Sequence, residues 1–257
     1  MNRINAPDGT QLVYDAYEPE RPTIAVLFLH DWNPQLPERT DQFAATGAQL
    51  RDAGFATYFL DQRGHGRSGG RRGHLSRFSQ LLGDLQAFRR AVRRHDIPQI
   101  LVGHGFGGLI VLRYLETQPG EPPAAAVVAS PWLGSRVRPA AWKRFAARLA
   151  DLWPTLPTGR GAAFMTAGAR AELQWAQRAV VTDCQRIERP LLLLLGETDE
   201  VIDASAVRGF AGQLGSRATL LAYPHLGHEL LEDSQVLTEL TGFVAEFRSF
   251  DRHPKHD

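Results

Sequence analysis

The chain has 257 residues, with 29 Lys and Arg against 28 Asp and Glu, and its net charge of +1 gives no electrostatic reason to expect nucleic acid or an anionic membrane as a partner. A hydrophobic content of 43% with 22% charged residues is that of an ordinary soluble globular protein. Cys184 is the single cysteine, so no disulfide framework exists within the chain; the first residues lack a signal peptide's apolar core, and no apolar run approaches the ~20 residues of a membrane span. A cytoplasmic protein without a transmembrane segment is the expectation.

In chain order, Asp8-Gly9 signals a turn, and Gln11–Tyr17 alternates with period two, as a half-buried strand does. Ile24–Leu29 is wholly apolar, which suits a strand covered on both faces, and it ends in the loop His30–Pro34. A helix is expected over Gln42–Ala53, closed by Gly54, then a strand over Phe55–Leu60 and a Gly-rich loop over Asp61–Gly70. Leu81, Leu82, Leu85, Phe88 and Val92 recur at three and four, marking a helix over about Arg77–Arg94.

The segment Ile100–Leu112 organises the rest. An apolar run stops at Gly103, a helical pattern begins at about Phe106, and the turn between them reads Gly103-His104-Gly105-Phe106-Gly107. That is the strand–turn–helix frame of a nucleophile elbow, G-x-S-x-G, with glycine where the attacking serine stands. A helix to Thr117 and a buried strand over Ala124–Ala129 follow.

Residues 131–185 break the alternation. Trp142, Phe145, Leu149, Leu152 and Trp153 form one stripe of an amphipathic helix, and a second helix is expected over Arg170–Val180. Strand Pro190–Leu195, helix Ala204–Leu214, strand Thr219–Tyr223 and helix Val236–Phe247 complete the pattern, with a polar tail over Asp251–Asp257. Strands alternating with helices imply an α/β fold with a mostly parallel central sheet flanked by helices. The core then comprises 1–130 and 186–257. The insertion 131–185 reads as a short helical cap over the carboxyl ends of the strands, with Trp142, Phe145 and Leu149 as substrate-binding residues. The alternative is that the stripe is core packing of an extra helix pair.

Asp199 follows one late strand and His228 the next, after the elbow frame. That order supplies two members of a catalytic triad, an imidazole to take a proton and a carboxylate to hold its tautomer. On these residues the chain resembles the monoacylglycerol lipase and lysophospholipase branch of the α/β-hydrolases. The matching segments are Asp61-Gln62-Arg63-Gly64-His65-Gly66-Arg67-Ser68 and its continuation to His74, Gly103–Gly108, Gly196-Glu197-Thr198-Asp199 and His228-Glu229-Leu230-Leu231. The resemblance implies hydrolysis of lipophilic carboxylic esters, no cofactor, and an oxyanion hole built from the backbone N–H groups of Trp32 and Phe106.

Two positions depart from that pattern. Gly105 stands at the nucleophile position, so covalent catalysis lacks its oxygen, and the chain is expected to be inactive as it stands. Asp31 replaces the glycine of the family's His-Gly oxyanion loop. A carboxylate there opposes a developing oxyanion unless it points away, which a backbone at positive φ would allow. With Asp199, His228 and the Phe106 N–H retained, Gly105→Ser is expected to restore some ester hydrolysis.

Two other readings fit. One is a pseudohydrolase that binds a ligand or partner without turnover. The other is a dinucleotide site, because Gly103–Gly108 also satisfies G-x-G-x-x-G. Against it, the motif is not on the first strand, and no acid follows the next one to hold a ribose. The arginines Arg63, Arg67, Arg71, Arg72, Arg89, Arg90, Arg93 and Arg94 are expected to form a solvated face. His30, His65, His74 and His104 are too scattered to bind a metal.

Overall fold

A computed structural model describes residues 1–33, 44–94, 96–117, 121–136, 153–158 and 164–249. Its strands are β1 (Asn2–Asn5), β2 (Gln11–Tyr17), β3 (Ile24–Leu29), β4 (Phe55–Asp61), β5 (Gln99–His104), β6 (Ala125–Ala129), β7 (Leu191–Gly196) and β8 (Ala218–Tyr223). They form one eight-stranded sheet in the order β1-β2-β4-β3-β5-β6-β7-β8. β1 and β2 pair antiparallel with each other, and β2 antiparallel with β4; every later pairing is parallel. The α-helices among the described residues are α1 (Ala44–Asp52), α2 (Phe78–Ala91), α3 (Phe106–Thr117), α4 (Ala167–Asp183), α5 (Ala204–Leu214) and α6 (Ser234–Ala245).

β3, β5, β6 and β7 are buried along their whole length, which explains why they read as unbroken apolar runs rather than alternating ones. Alternate residues of each strand serve two cores. Leu27, Leu101 and Val128 face α2, α3 and α4, whereas Val26, Val102 and Val127 face Leu50 of α1 and Leu240 of α6. β1 is not legible in the sequence, because its residues are mostly exposed and carry no apolar alternation. α4 lies within residues 131–185, and its residues Ala169, Leu173, Ala176 and Val180 share the core of α3. The stripe residues Trp142, Phe145, Leu149 and Leu152 lie outside the described residues; Trp153 is described and exposed.

Arg71, Arg72, Arg90, Arg93 and Arg94 are exposed, as a solvated face requires, but Arg63, Arg67 and Arg89 are a correction. Arg63 forms a double hydrogen bond to Asp84 (2.7 Å each) and also reaches Asp8 (2.6 Å). Arg67 joins Asp61 (2.7 Å) to Asp15 (2.6 Å), and Arg89 is buried against Gln99, Tyr114 and the Glu121 carbonyl. These three bind the loop after β4 and the helix α2 to the sheet. A single sequence presents such arginines only as charges, and their partners, far away in the chain, make them internal.

Candidate active site

Parallel strands bring their carboxyl ends to one edge of the sheet, where open α/β sheets gather functional loops. Leu29 of β3 pairs in register with Gly103 of β5. Asp31 and Gly105 each stand two residues beyond that pair, so neighbouring loops bring them together. At the far side, Gly196 of β7 pairs with Tyr223 of β8, and Asp199 and His228 follow these ends.

The elbow is built on close approach. A Cβ at residue 107 would lie 2.2 Å from the Leu29 carbonyl oxygen, and one at residue 103 would lie 2.5 Å from the Gly107 carbonyl oxygen. Glycine at both positions lets α3 pack directly on β3 and β5. Gly105 has φ +53°, the left-handed region where a side chain is strained.

The expected partners meet. His228 Nδ1 lies 2.8 Å from Asp199 Oδ2, while Asp199 Oδ1 accepts the N–H groups of Val201 (2.8 Å) and Ile202 (2.9 Å). The missing serine side chain leads one to expect an empty gap between His228 and Gly105, and there the structure is a correction. The Asp31 carboxylate fills that gap. Its Oδ2 is 3.1 Å from His228 Nε2, and its Oδ1 accepts the Phe106 N–H at 2.6 Å. A Cβ on residue 105 would lie 2.1 Å from that Oδ1. Asp31 therefore points into the site, and it does so without positive φ, since Ser130 is the only non-glycine residue with positive φ among the described residues.

Physical reasons for this placement are visible around it. Phe106 begins α3, so the carboxylate sits at a helix N-terminus, where a free N–H and the helix dipole favour an anion. The loop is held from behind: the buried Gln62 donates its backbone N–H to His30 Nε2 (3.1 Å), and its side-chain amide donates to the His30 carbonyl oxygen (2.5 Å). Because Nε2 accepts, His30 Nδ1 carries the proton and donates to the Asp31 carbonyl oxygen at 2.6 Å. Trp32 packs edge-on against Phe106 at 5.0 Å, and its indole N–H donates to the Phe164 carbonyl oxygen (3.1 Å). The His104 ring packs at a tilt of 42° against His228, 4.7 Å between ring centroids, and bonds the His228 carbonyl oxygen at 2.8 Å.

Electrostatics follow from the geometry. Ionised carboxylates only accept hydrogen bonds, so an imidazole between two of them holds a proton on each nitrogen. Burial pushes His228 down, but its bonds to Asp199 and Asp31 more than offset this and raise its pKa to about 10. Burial pushes Asp31 up, and its bond to His228, the neighbouring histidines and the Phe106 N–H bring it down to about 2. Asp199 is lowered by the His228 bond and its backbone donors, against burial.

The stabilisation from His228 is complete below its unfolded value near 6.5 and is lost as pH rises through about 10. That from Asp31 is complete above 3.8 and is lost as pH falls toward 2. Histidine nitrogen NMR is expected to show both His228 nitrogens protonated at pH 8, with titration near 10. In Asp31→Asn the midpoint is expected to move well below that. A neutral His228 at pH 8 in the parent would refute the paired cation.

A family model described as serine aminopeptidase, S33, matches residues 22–167 and 162–235. The chain belongs to this α/β-hydrolase family. Within it, the chain is similar to the monoacylglycerol lipase of Mycolicibacterium smegmatis, with 27% identity over 92% of this chain and 93% of that one. The fold matches the crystal structure of Paleococcus ferrophilus monoacylglycerol lipase with a TM-score of 0.78, at 23% identity, covering 93% of this chain and 98% of that one. It also matches a soluble variant of the Saccharomyces cerevisiae monoglyceride lipase in complex with a substrate analog, with a TM-score of 0.79 at 17% identity, covering 97% and 94%. The expected monoacylglycerol-lipase-like branch and α/β-hydrolase fold are thus borne out. Among the described residues no group of His, Cys, Asp and Glu could hold a metal ion, and no helix is long and apolar enough to cross a membrane.

Proposed function

We propose that this chain is a monoacylglycerol-lipase-like hydrolase scaffold that binds a lipophilic acyl ligand and does not turn over esters by a serine route. The observation that carries this reading is the Asp31 carboxylate. It lies on the nucleophile position and takes both groups that a serine mechanism needs: the proton-accepting nitrogen of His228 and the Phe106 N–H of the oxyanion hole. In this reading Asp199 and His228 are the retained triad partners, Trp32 and Phe106 the hole, and 131–185 the cap, with Trp142, Phe145 and Leu149 toward the ligand. The bonds from Trp32 to Phe164 and from Thr166 N–H to the Gly73 carbonyl oxygen (2.9 Å) support such a cap, since they tie the insertion to loops beside the site. The same carboxylate counts against the dinucleotide reading, because a pyrophosphate at the start of α3 would meet an anion already there.

The test is to expose the parent chain to p-nitrophenyl butyrate, to a long-chain monoacylglycerol and to a fluorophosphonate probe. The expected result is no covalent label and no acyl-enzyme burst, with retention of the monoacylglycerol on the folded protein. A labelled residue or a burst would overturn the reading.

A further inference from the structure

The geometry points to Asp31 as a relocated nucleophile for small apolar epoxides, opening the ring through its carboxylate and releasing a diol. This deepens the reading that Asp31 has taken the serine's place, and rests on it.

The arrangement supplies each part of such a reaction. An unprotonated carboxylate oxygen, Oδ2, lies 2.9 Å from where a Cβ of residue 105 would stand and 3.1 Å from His228 Nε2. The other oxygen, Oδ1, is already held by the helix-terminal Phe106 N–H at 2.6 Å. The Asp31 side chain is 21% exposed, so a small molecule can reach it, and the adjacent, partly buried Trp32, packed on the core residue Phe106, favours an apolar one.

In the first step Oδ2 attacks an oxirane carbon. The new Oδ2–C bond forms, the ring C–O bond breaks with its electron pair going to oxygen, and that oxygen takes the Nε2 proton of His228. The products are a 2-hydroxyalkyl ester of Asp31 and a neutral imidazole. In the second step a water oxygen attacks Asp31 Cγ while Nε2 takes a proton from it. The oxyanion forms on Oδ1, where the Phe106 N–H stabilises it. Collapse breaks the Cγ–Oδ2 bond. Of the two water protons, one ends on the diol and one on His228, and the starting carboxylate and imidazolium return.

The proton on His228 selects the epoxide among electrophiles at saturated carbon. In the resting site Asp31 accepts that proton from Nε2, while Asp199 accepts the one on Nδ1. A halide would leave as an anion without taking the Nε2 proton, and His228 would first have to lose its proton to solvent before it could act as a base. An epoxide oxygen needs a proton, and in taking it prepares His228 for the second step. Esterified Asp31 no longer has the charge that held His228 protonated, so the base is generated when it is needed.

The experiment incubates the parent chain with 1,2-epoxyhexane and with styrene oxide in ¹⁸O-water under single-turnover conditions, followed by peptide mass mapping and diol analysis. The expected result is diol formation at least 100-fold above Asp31→Asn, whose folding is checked by thermal melting, with the ¹⁸O in the peptide carrying Asp31. Absence of diol and of any adduct on Asp31 in the parent would overturn the proposal whatever the variant does. So would diol carrying all the ¹⁸O, which means direct attack by water. A fluorophosphonate-reactive parent defeats the earlier reading instead, so the two failures are distinguishable.

Discussion

Replacing Asp31 with glycine and Gly105 with serine together is expected to raise hydrolysis of p-nitrophenyl butyrate by at least ~10³-fold over the parent, whereas Gly105→Ser alone stays at the parent's level. Loss of a triad serine costs about a million-fold in a comparable enzyme, so the range available for recovery is large. The single change, from which the sequence alone leads one to expect some rescue, cannot use it. The new Cβ would lie 2.1 Å from Asp31 Oδ1 and 2.3 Å from its Cγ, inside any contact distance, so serine and aspartate compete for one volume. Even with Asp31 displaced within its loop, a carboxylate beside the Phe106 N–H would oppose the oxyanion. Serine also returns to a left-handed backbone, at a cost of about 1–3 kcal/mol. The single variant is therefore expected to melt below the parent, and the double variant to recover part of the loss. Initial rates and thermal melts on the parent, both single variants and the double variant decide this. A single Gly105→Ser variant as active as the double one would show that Asp31 yields freely and that the two positions are not coupled.

Asp84→Ala is expected to destabilise the fold by about 3–5 kcal/mol in urea unfolding, the range for removing one partner of a buried ion pair. Arg63 is 9% exposed and Asp84 3% exposed, and both bonds between them measure 2.7 Å. Without Asp84 the guanidinium keeps Asp8, which is 41% exposed and screened by solvent, so it cannot replace the lost charge inside the protein. The same loop carries Gln62, which holds His30 and through it the backbone of Asp31. In the double Asp31→Gly, Gly105→Ser variant, adding Asp84→Ala is therefore expected to lower ester turnover as well as stability. Asp84→Asn keeps the shape and some hydrogen bonding, and is expected to cost less than alanine. A loss within 1 kcal/mol for Asp84→Ala would place the Arg63 pair among surface pairs of little consequence.

Much of this molecule is legible in its amino-acid sequence. The strands and the helix after the elbow read from apolar runs and from spacing of three and four, because a strand or helix covers its faces with residues close in sequence. The order of Gly105, Asp199 and His228 is legible for a similar reason, since parallel strands carry successive loops to one edge. The failures share a cause. β1 is a short edge strand whose pairing with β2 lies in the backbone and leaves no apolar signature. The paired arginines depend on acids up to 55 positions away. Asp31 is visible as an odd residue beside an oxyanion loop, but its direction is not. That direction is set by a meeting of three elements: the loop after β3, the N-terminus of α3, and His228 beyond β8. The local chain determines that residue 105 has no nucleophile. Only the tertiary structure decides that a carboxylate from another loop stands in its place, because an anion gains there a helix-terminal N–H and an imidazolium that no stretch of sequence brings together.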